Sequence, residues 1–204
     1  MKVTVVSGSH RTPSQSMKVS EHIRGALEAT GGFSEVEIFG LNDNPLPLWD
    51  QGVWEGAARW SELLDPLRAR LQASDAFVIV SPEWHGQVPA GLKNFFLLCS
   101  ARELGHKPAL IVTVSSGDGG SYPVAELRMS SYKNNRLCYL PEHVIIRNVE
   151  RVLNEDAADN DSAADQYFRA RIAWNLEILH AYALALKGVR ESGITHNDLF
   201  KNGM

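Results

Sequence analysis

The chain is poor in cysteine. Its 204 residues include two, Cys99 and Cys138, and no C-x-x-C pair. Two distant thiols cannot build a disulfide framework or a four-thiolate zinc site, so both read as buried free thiols of a reducing compartment. Long apolar runs are lacking as well: no stretch approaches the roughly 18 residues needed to span a bilayer. The short apolar run after Lys2 stops at once in Ser7-Gly8-Ser9-His10-Arg11, which is no secretory leader. A cytoplasmic protein is expected. An excess of basic charge is also missing. The net charge of −4 gives no electrostatic reason to expect nucleic acid or an anionic membrane as partner. Two nucleotide-binding signatures are absent too. There is no G-x-x-x-x-G-K-[ST], and no G-x-G-x-x-G follows the first apolar run.

What remains is ordinary globular sequence, 44% hydrophobic and 22% charged. Short β-branched or apolar runs at Val3–Val6, Val36–Phe39, Ala76–Val80, Ala109–Val114 and His143–Ile146 read as five strands. Between them, apolar spacing predicts helices over Met17–Ala29, Trp60–Ala73, Pro89–Ala101 and Val124–Tyr139. A long one follows over Asp161–Lys187. Pro66 should kink or split the second helix, and Pro89 should open the third. Leu41–Val53 and the acidic stretch Asn154–Asp165 read as loops. Strands that are apolar throughout and alternate with helices argue for a parallel sheet covered on both faces. Five of them suggest the flavodoxin-like order 2-1-3-4-5. One domain over residues 1–187 is expected, with 188–204 as a loose polar tail.

In an open parallel sheet, ligands bind beyond the carboxyl ends of the strands. Three loops of unusual chemistry fall there. The first, Ser9-His10-Arg11-Thr12-Pro13-Ser14-Gln15-Ser16, offers hydroxyls, a guanidinium and the free amides of a helix start, as a phosphate dianion requires. Simple helix capping by Ser14 or Ser16 would use the same residues. The second, Ser81-Pro82-Glu83-Trp84-His85-Gly86-Gln87-Val88-Pro89, is stiffened by two prolines. Trp84 and His85 could lie against a flat ring, while Glu83 is better suited to ordering the loop. The third, Ser115 to Ser121, is glycine-rich and could present amides to an electron-rich ring edge. Asp118 is awkward there. One loop for a phosphate and two for a planar ring together fit a flavin mononucleotide.

These segments resemble the NADPH-dependent FMN reductase family of flavodoxin-like proteins. Gly8-Ser9-His10-Arg11 with Ser14 and Ser16 is similar to the family's G-S-x-R-x-x-S-x-[NS]. Pro82-Glu83-Trp84-His85-Gly86 with Pro89, Gly91, Leu92, Lys93 and Asn94 is similar to its P-E-Y-N-G-x-x-P-G-x-L-K-N. Ser115-Ser116-Gly117 with Gly119-Gly120 completes the set, and Leu140-Pro141 before the last strand is familiar. The departures are Trp84-His85 for Tyr-Asn, the order Ala90-Gly91, the carboxylate of Asp118 and the polar run Ser131 to Arg136.

The resemblance implies Ser9, Arg11, Ser14, Gln15 and Ser16 around an FMN phosphate. It implies Pro82, Glu83, Trp84, His85 and Gly86 beside the isoalloxazine, with Ser116, Gly117 and Gly119 near its pyrimidine edge. It also implies hydride transfer from NADPH or NADH to the flavin and then reduction of a small acceptor (flavin, quinone, azo compound or metal oxyanion). No side chain acts as acid or base, no metal is needed, and the cofactor carries the chemistry. Family members form dimers or pairs of dimers. Two features of the sequence agree with an interface. Phe95-Phe96-Leu97-Leu98-Cys99 makes its helix apolar on more than one face, and Trp49, Trp54 and Trp60 cluster around one loop. A local satellite core would explain the tryptophans equally. Arg128, Lys133 and Arg136 could meet the 2′-phosphate of NADPH, or form a solvated helix face. The rival reading is a flavodoxin-type electron carrier without nicotinamide turnover, which the mild net charge argues against. A binding module without flavin on the same fold is the third.

Overall fold

The computed structural model describes residues 1–203. Five parallel strands form one sheet: β1 (Lys2–Ser7), β2 (Glu35–Gly40), β3 (Ala76–Pro82), β4 (Pro108–Val114) and β5 (Cys138–Ile146). Their order is β2-β1-β3-β4-β5, as the run of apolar segments suggests. Seven helices connect and cover them: α1 (Gln15–Thr30), α2 (Gly52–Glu55), α3 (Ala58–Ala73), α4 (Ala90–Leu98), α5 (Ala101–Leu104), α6 (Ser121–Met129) and α7 (Ser162–Glu191).

The inner strands alternate strictly between two cores, because successive side chains leave a strand on opposite faces. Val3 and Val5 of β1, Val78 and Val80 of β3, and Leu110 and Val112 of β4 point to one face. There they pack with Val19, Ile23 and Leu27 of α1 and with Ile172, Leu176 and Leu179 of α7. Val6, Phe77, Ile79 and Ile111 point to the other, against Leu67 and Leu71 of α3, Leu92 and Phe95 of α4, and Leu127 of α6. Burial on both faces explains why β3 and β4 read as unbroken apolar runs.

Several expected boundaries move. The helix expected over Val124–Tyr139 ends at Met129. The hydroxyls of Ser130 and Ser131 donate back to the carbonyls of Glu126 and Leu127, and Ser131 then turns at φ 62°. Tyr139 belongs to β5, which is longer than expected and shifts register against β4 between Ala109 and Ile111. Pro89 is the residue before α4 rather than its first turn. A capping box of Ser100 and Glu103 starts a separate α5 after α4 has stopped. Pro66 does not split α3. It lies on the exposed side of the helix. The loop over Leu41–Val53 runs into α2, and α7 continues past Gly188 to Glu191. No helix among the described residues is long and apolar enough to cross a membrane.

Candidate functional site

The three loops leave the carboxyl ends of β1, β3 and β4, so the sheet order places them side by side. The first loop holds its hydroxyls in distinct positions. Ser9 is buried and its Oγ accepts from the amide of Arg11 at 3.2 Å. Ser14 caps α1, accepting from the amide of Met17 at 3.1 Å. The amides of Gln15 and Ser16 engage no other residue among those described. These are the unsatisfied donors of a helix start, preceded in the same loop by an exposed arginine, Arg11. The side-chain oxygen of Gln15 is buried without a hydrogen-bond partner, and Ser16 is buried.

The second loop is a tight hairpin. Trp84 and Gln87 exchange both backbone hydrogen bonds, at 3.1 and 2.9 Å. The two residues between them, His85 and Gly86, both have positive φ, 51° and 70°. That is the type I′ two-residue turn, which favours Asn-Gly. Histidine is among the few other residues that tolerate a positive φ. The substitution of His85 for the resembling motif's Asn therefore keeps the turn. His85 is exposed, and Pro82 ends β3 buried.

The third loop is bound to the second by Glu83, whose carboxylate accepts from the amide of Gly120 at 2.6 Å. Thr113 of β4 donates to the carbonyl of the same glycine at 2.7 Å. Gly120 has φ 102°, and a Cβ there would stand 2.5 Å from Ile145, so no other residue fits. Gly117, by contrast, has open space around it, and Ser116 is exposed. Gly119 uses its carbonyl to accept from Arg147 at 3.1 Å. Asp118 is exposed and accepts from the side-chain amide of Asn148 at 3.2 Å.

Several residues organise this edge through contacts that no local pattern encodes. His10 accepts from the amide of Gly91 and so joins the first loop to α4. Glu126 of α6 accepts from the amide of Val88 at 2.7 Å and pairs with Lys93 at 2.5 Å. Asn94 holds the loop before α2, accepting from Trp49 at 2.8 Å and donating to the carbonyl of Pro47 at 2.8 Å. Lys93 and Asn94 belong to the resembling motif, and here they brace loops. The three basic residues considered for a nucleotide phosphate are elsewhere. Arg128 donates to the carbonyls of Leu140 and Pro141, and Arg136 to carbonyls of the C-terminal segment. Arg136 precedes β5 and lies at the amino end of the sheet, away from the three loops; neither it nor the exposed Lys133 lies on a helix. Trp60 and Trp49 pack in a small third core with Leu64 and Leu98, while Trp54 remains 79% exposed.

A cavity of about 750 Å³ opens on the outer flank of α1, where Arg11, Ser14, Lys18 and Arg169 line it. It borders the first loop only. Lys18 there donates to the carbonyls of Val149 and Val152 and to Asn154, at 2.7 to 2.9 Å. Burial pulls its pKa below the ordinary lysine value. This lysine ties α1 to the turn after β5, whose Asn148 amide in turn donates to the carbonyl of Gly117 at 3.1 Å.

The edge thus combines free amides and an exposed guanidinium at one loop with a rigid aromatic hairpin and an open glycine at the next two. Comparison with known proteins agrees with that chemistry. The family model for NADPH-dependent FMN reductase matches residues 1–151. An NADPH azoreductase of a Bacillus species is 26% identical over 160 residues, 77% of this chain and 84% of the relative. An FMN-dependent NADPH-azoreductase of Staphylococcus saprophyticus is 29% identical over 130 residues, 63% of this chain and 68% of the relative. A solved flavoenzyme NAD(P)H:(acceptor) oxidoreductase from Paracoccus denitrificans superposes with a TM-score of 0.69 at 21% identity, covering 90% of this chain and 97% of that one; it shares the fold. The chain belongs to the NADPH-dependent FMN reductase family, oxidoreductases that work with FMN and NAD(P)H.

Proposed function

We propose that residues 1–187 form a single FMN-binding domain in which the three loops hold the cofactor between them. Ser9, Arg11, Ser14, Gln15 and Ser16 take the phosphate. Pro82, Glu83, Trp84, His85 and Gly86 flank the isoalloxazine, and Ser116, Gly117 and Gly119 meet its pyrimidine edge. The observation that carries this reading is the pair of unengaged amides at Gln15 and Ser16 in the loop that also carries the exposed Arg11. Bound FMN supplies hydride acceptance from a nicotinamide and onward electron transfer. The chain's own part is to bind and orient. Glu83 keeps the second and third loops at a fixed spacing through Gly120. The open surface over Gly117 leaves room for the ring edge.

NADPH or NADH is the donor, and a small molecule such as a flavin, quinone, azo compound or metal oxyanion is the acceptor. The protein acts in the cytoplasm, without nucleic acid or membrane as partner. It works as a homodimer or homotetramer, in which the exposed Leu97 of α4 and the exposed Trp54 contribute to the contact. Anaerobic titration of the FMN-loaded protein with NADPH and then NADH tests the reading. Bleaching of the flavin band is the expected result, and the two donors are ranked by rate. Flavin that binds without bleaching would indicate an electron carrier instead. Failure to bind FMN would overturn the assignment of the first loop.

A further inference from the structure

His10 occupies the variable position of the first motif, and no part of the flavin reading uses it. Its surroundings are specific. The imidazole Nε2 accepts from the amide of Gly91 at 2.9 Å. Its ring stands edge-on to the indole of Trp84, with centroids 5.4 Å apart and planes at 83°. Its own carbonyl accepts from the amide of Asp43 at 3.2 Å, which fixes the backbone that carries it. Helix α4 has no side-chain cap from its own N-terminal residue, Pro89. His10 supplies that cap from a loop 81 residues earlier in the chain. The contact also dictates the residue at position 91. A Cβ there would stand 2.1 Å from Nε2 and within 3 Å of two further ring atoms. Gly91, which looked like a reversal of the resembling motif, is the one residue compatible with this histidine. The bond requires an unprotonated Nε2, and burial lowers the affinity of His10 for a proton.

We propose that His10 is a positioning residue of the flavin site, which locks the phosphate loop, the Trp84 indole and the start of α4 into one unit. The proposal rests on the flavin reading above. Its consequence is coupling. Ser9 and Arg11 flank His10 in the chain, so the loop that grips the phosphate also sets the ring beside the isoalloxazine. His10 touches neither substrate nor cofactor in this role; it acts through Trp84 and Gly91.

The test uses the full chain as wild type, His10→Ala, His10→Gln, Gly91→Ala and the double variant His10→Ala/Gly91→Ala. FMN affinity and bound-flavin emission are measured, with folding checked by circular dichroism. His10→Ala should weaken FMN binding roughly ten-fold, the scale of one lost hydrogen bond with its ordering effect. Bound-flavin emission should rise, because the indole that quenches it is no longer held. His10→Gln places an amide oxygen near the position of Nε2 but carries no ring. It should recover the affinity and leave the emission high. Gly91→Ala alone should match His10→Ala, and in the His10→Ala background it should add less than about two-fold, since the clash has gone. Wild-type affinity and emission in His10→Ala, or additive losses in the double variant, would overturn the proposal alone. A wild-type protein that binds no FMN would overturn it together with the flavin reading.

Discussion

Arg11 at the carboxyl end of the sheet and three cations at its amino end are used in opposite ways. At the amino end, Lys107, Arg136 and Arg190 are held by backbone carbonyls, Arg190 with help from a carboxylate. The ammonium of Lys107 donates to the carbonyls of Leu71, Gln72 and Glu103, closing the ends of α3 and α5. Arg136 holds carbonyls of the segment after α7, and Arg190 bridges the carbonyl of His106 to Asp75 at 3.2 and 3.1 Å. At the carboxyl end Arg11 is exposed with no such partner among the described residues, and the first-turn amides of α1 stand open in the same loop. Composition does not separate the two ends. Donors whose capacity is already taken close a fold; donors left free are available to a ligand.

The largest effect expected from this contrast is at Lys107. Lys107→Met fills similar volume and removes the charge whose burial draws the lysine pKa down to about 8. It also takes the ammonium donor from the carbonyls of Gln72 and Glu103 and leaves that of Leu71 with the Ser74 amide alone. The balance should be a loss of about 3 kcal/mol in folding stability, read from denaturant midpoints. FMN affinity of the folded variant should stay at the wild-type value, because the residue lies at the opposite end of the strands. A change in flavin binding comparable to that in stability would break the division between the ends.

Arg11→Ala should show the converse. The side chain is exposed and braces nothing, so the unfolding midpoint should not move. FMN affinity should fall by about 2 kcal/mol, roughly 30-fold, the worth of a charge-assisted contact to phosphate. Riboflavin, which lacks the phosphate, should bind wild type and Arg11→Ala alike. A lowered midpoint with unchanged FMN binding would reassign Arg11 to the scaffold.

The same division explains what could be read from the sequence. The sheet order was legible because β1, β3 and β4 are apolar on both faces, so their strands stand out without any partner in view. Strand β5 was half hidden, since its first half carries Tyr139, Pro141 and Glu142 and its pairing shifts register. The stretch Val124–Tyr139 reads as one helix, but Ser130 and Ser131 back-bond to Glu126 and Leu127 and end it, so it is a helix, a turn and the start of a strand. The three loops were legible because glycine, proline and hydroxyl residues mark local backbone needs. The ties between them were not. His10 with Gly91, Glu83 with Gly120 and Glu126 with Val88 each join residues 37 or more apart, and no local pattern encodes them. Even the Asp118 carboxylate, out of place in a glycine-rich ring-binding loop, has its partner in Asn148, 30 residues on.

The smallest effect separates the ends by their histidines. His10 at the carboxyl end and His106 at the amino end both have pKa values below the ordinary imidazole value. For His10 the cause is burial. For His106 it is burial first and then the positive charges of Arg136 and Arg190. A lowered folded-state pKa means that the unfolded chain binds more protons in the interval between the two values. Each histidine therefore contributes full stability above about pH 6.5 and loses it as pH falls through its folded-state pKa. Salt should act on one and not the other. Screening weakens the repulsion from Arg136 and Arg190 but leaves desolvation in place. Histidine resonances followed by NMR titration at low and high ionic strength should show the His106 pKa rising with salt and the His10 pKa unmoved. Equal movement of both would mean that a charge also acts on His10, and Arg11, its immediate neighbour, would be the group to remove next.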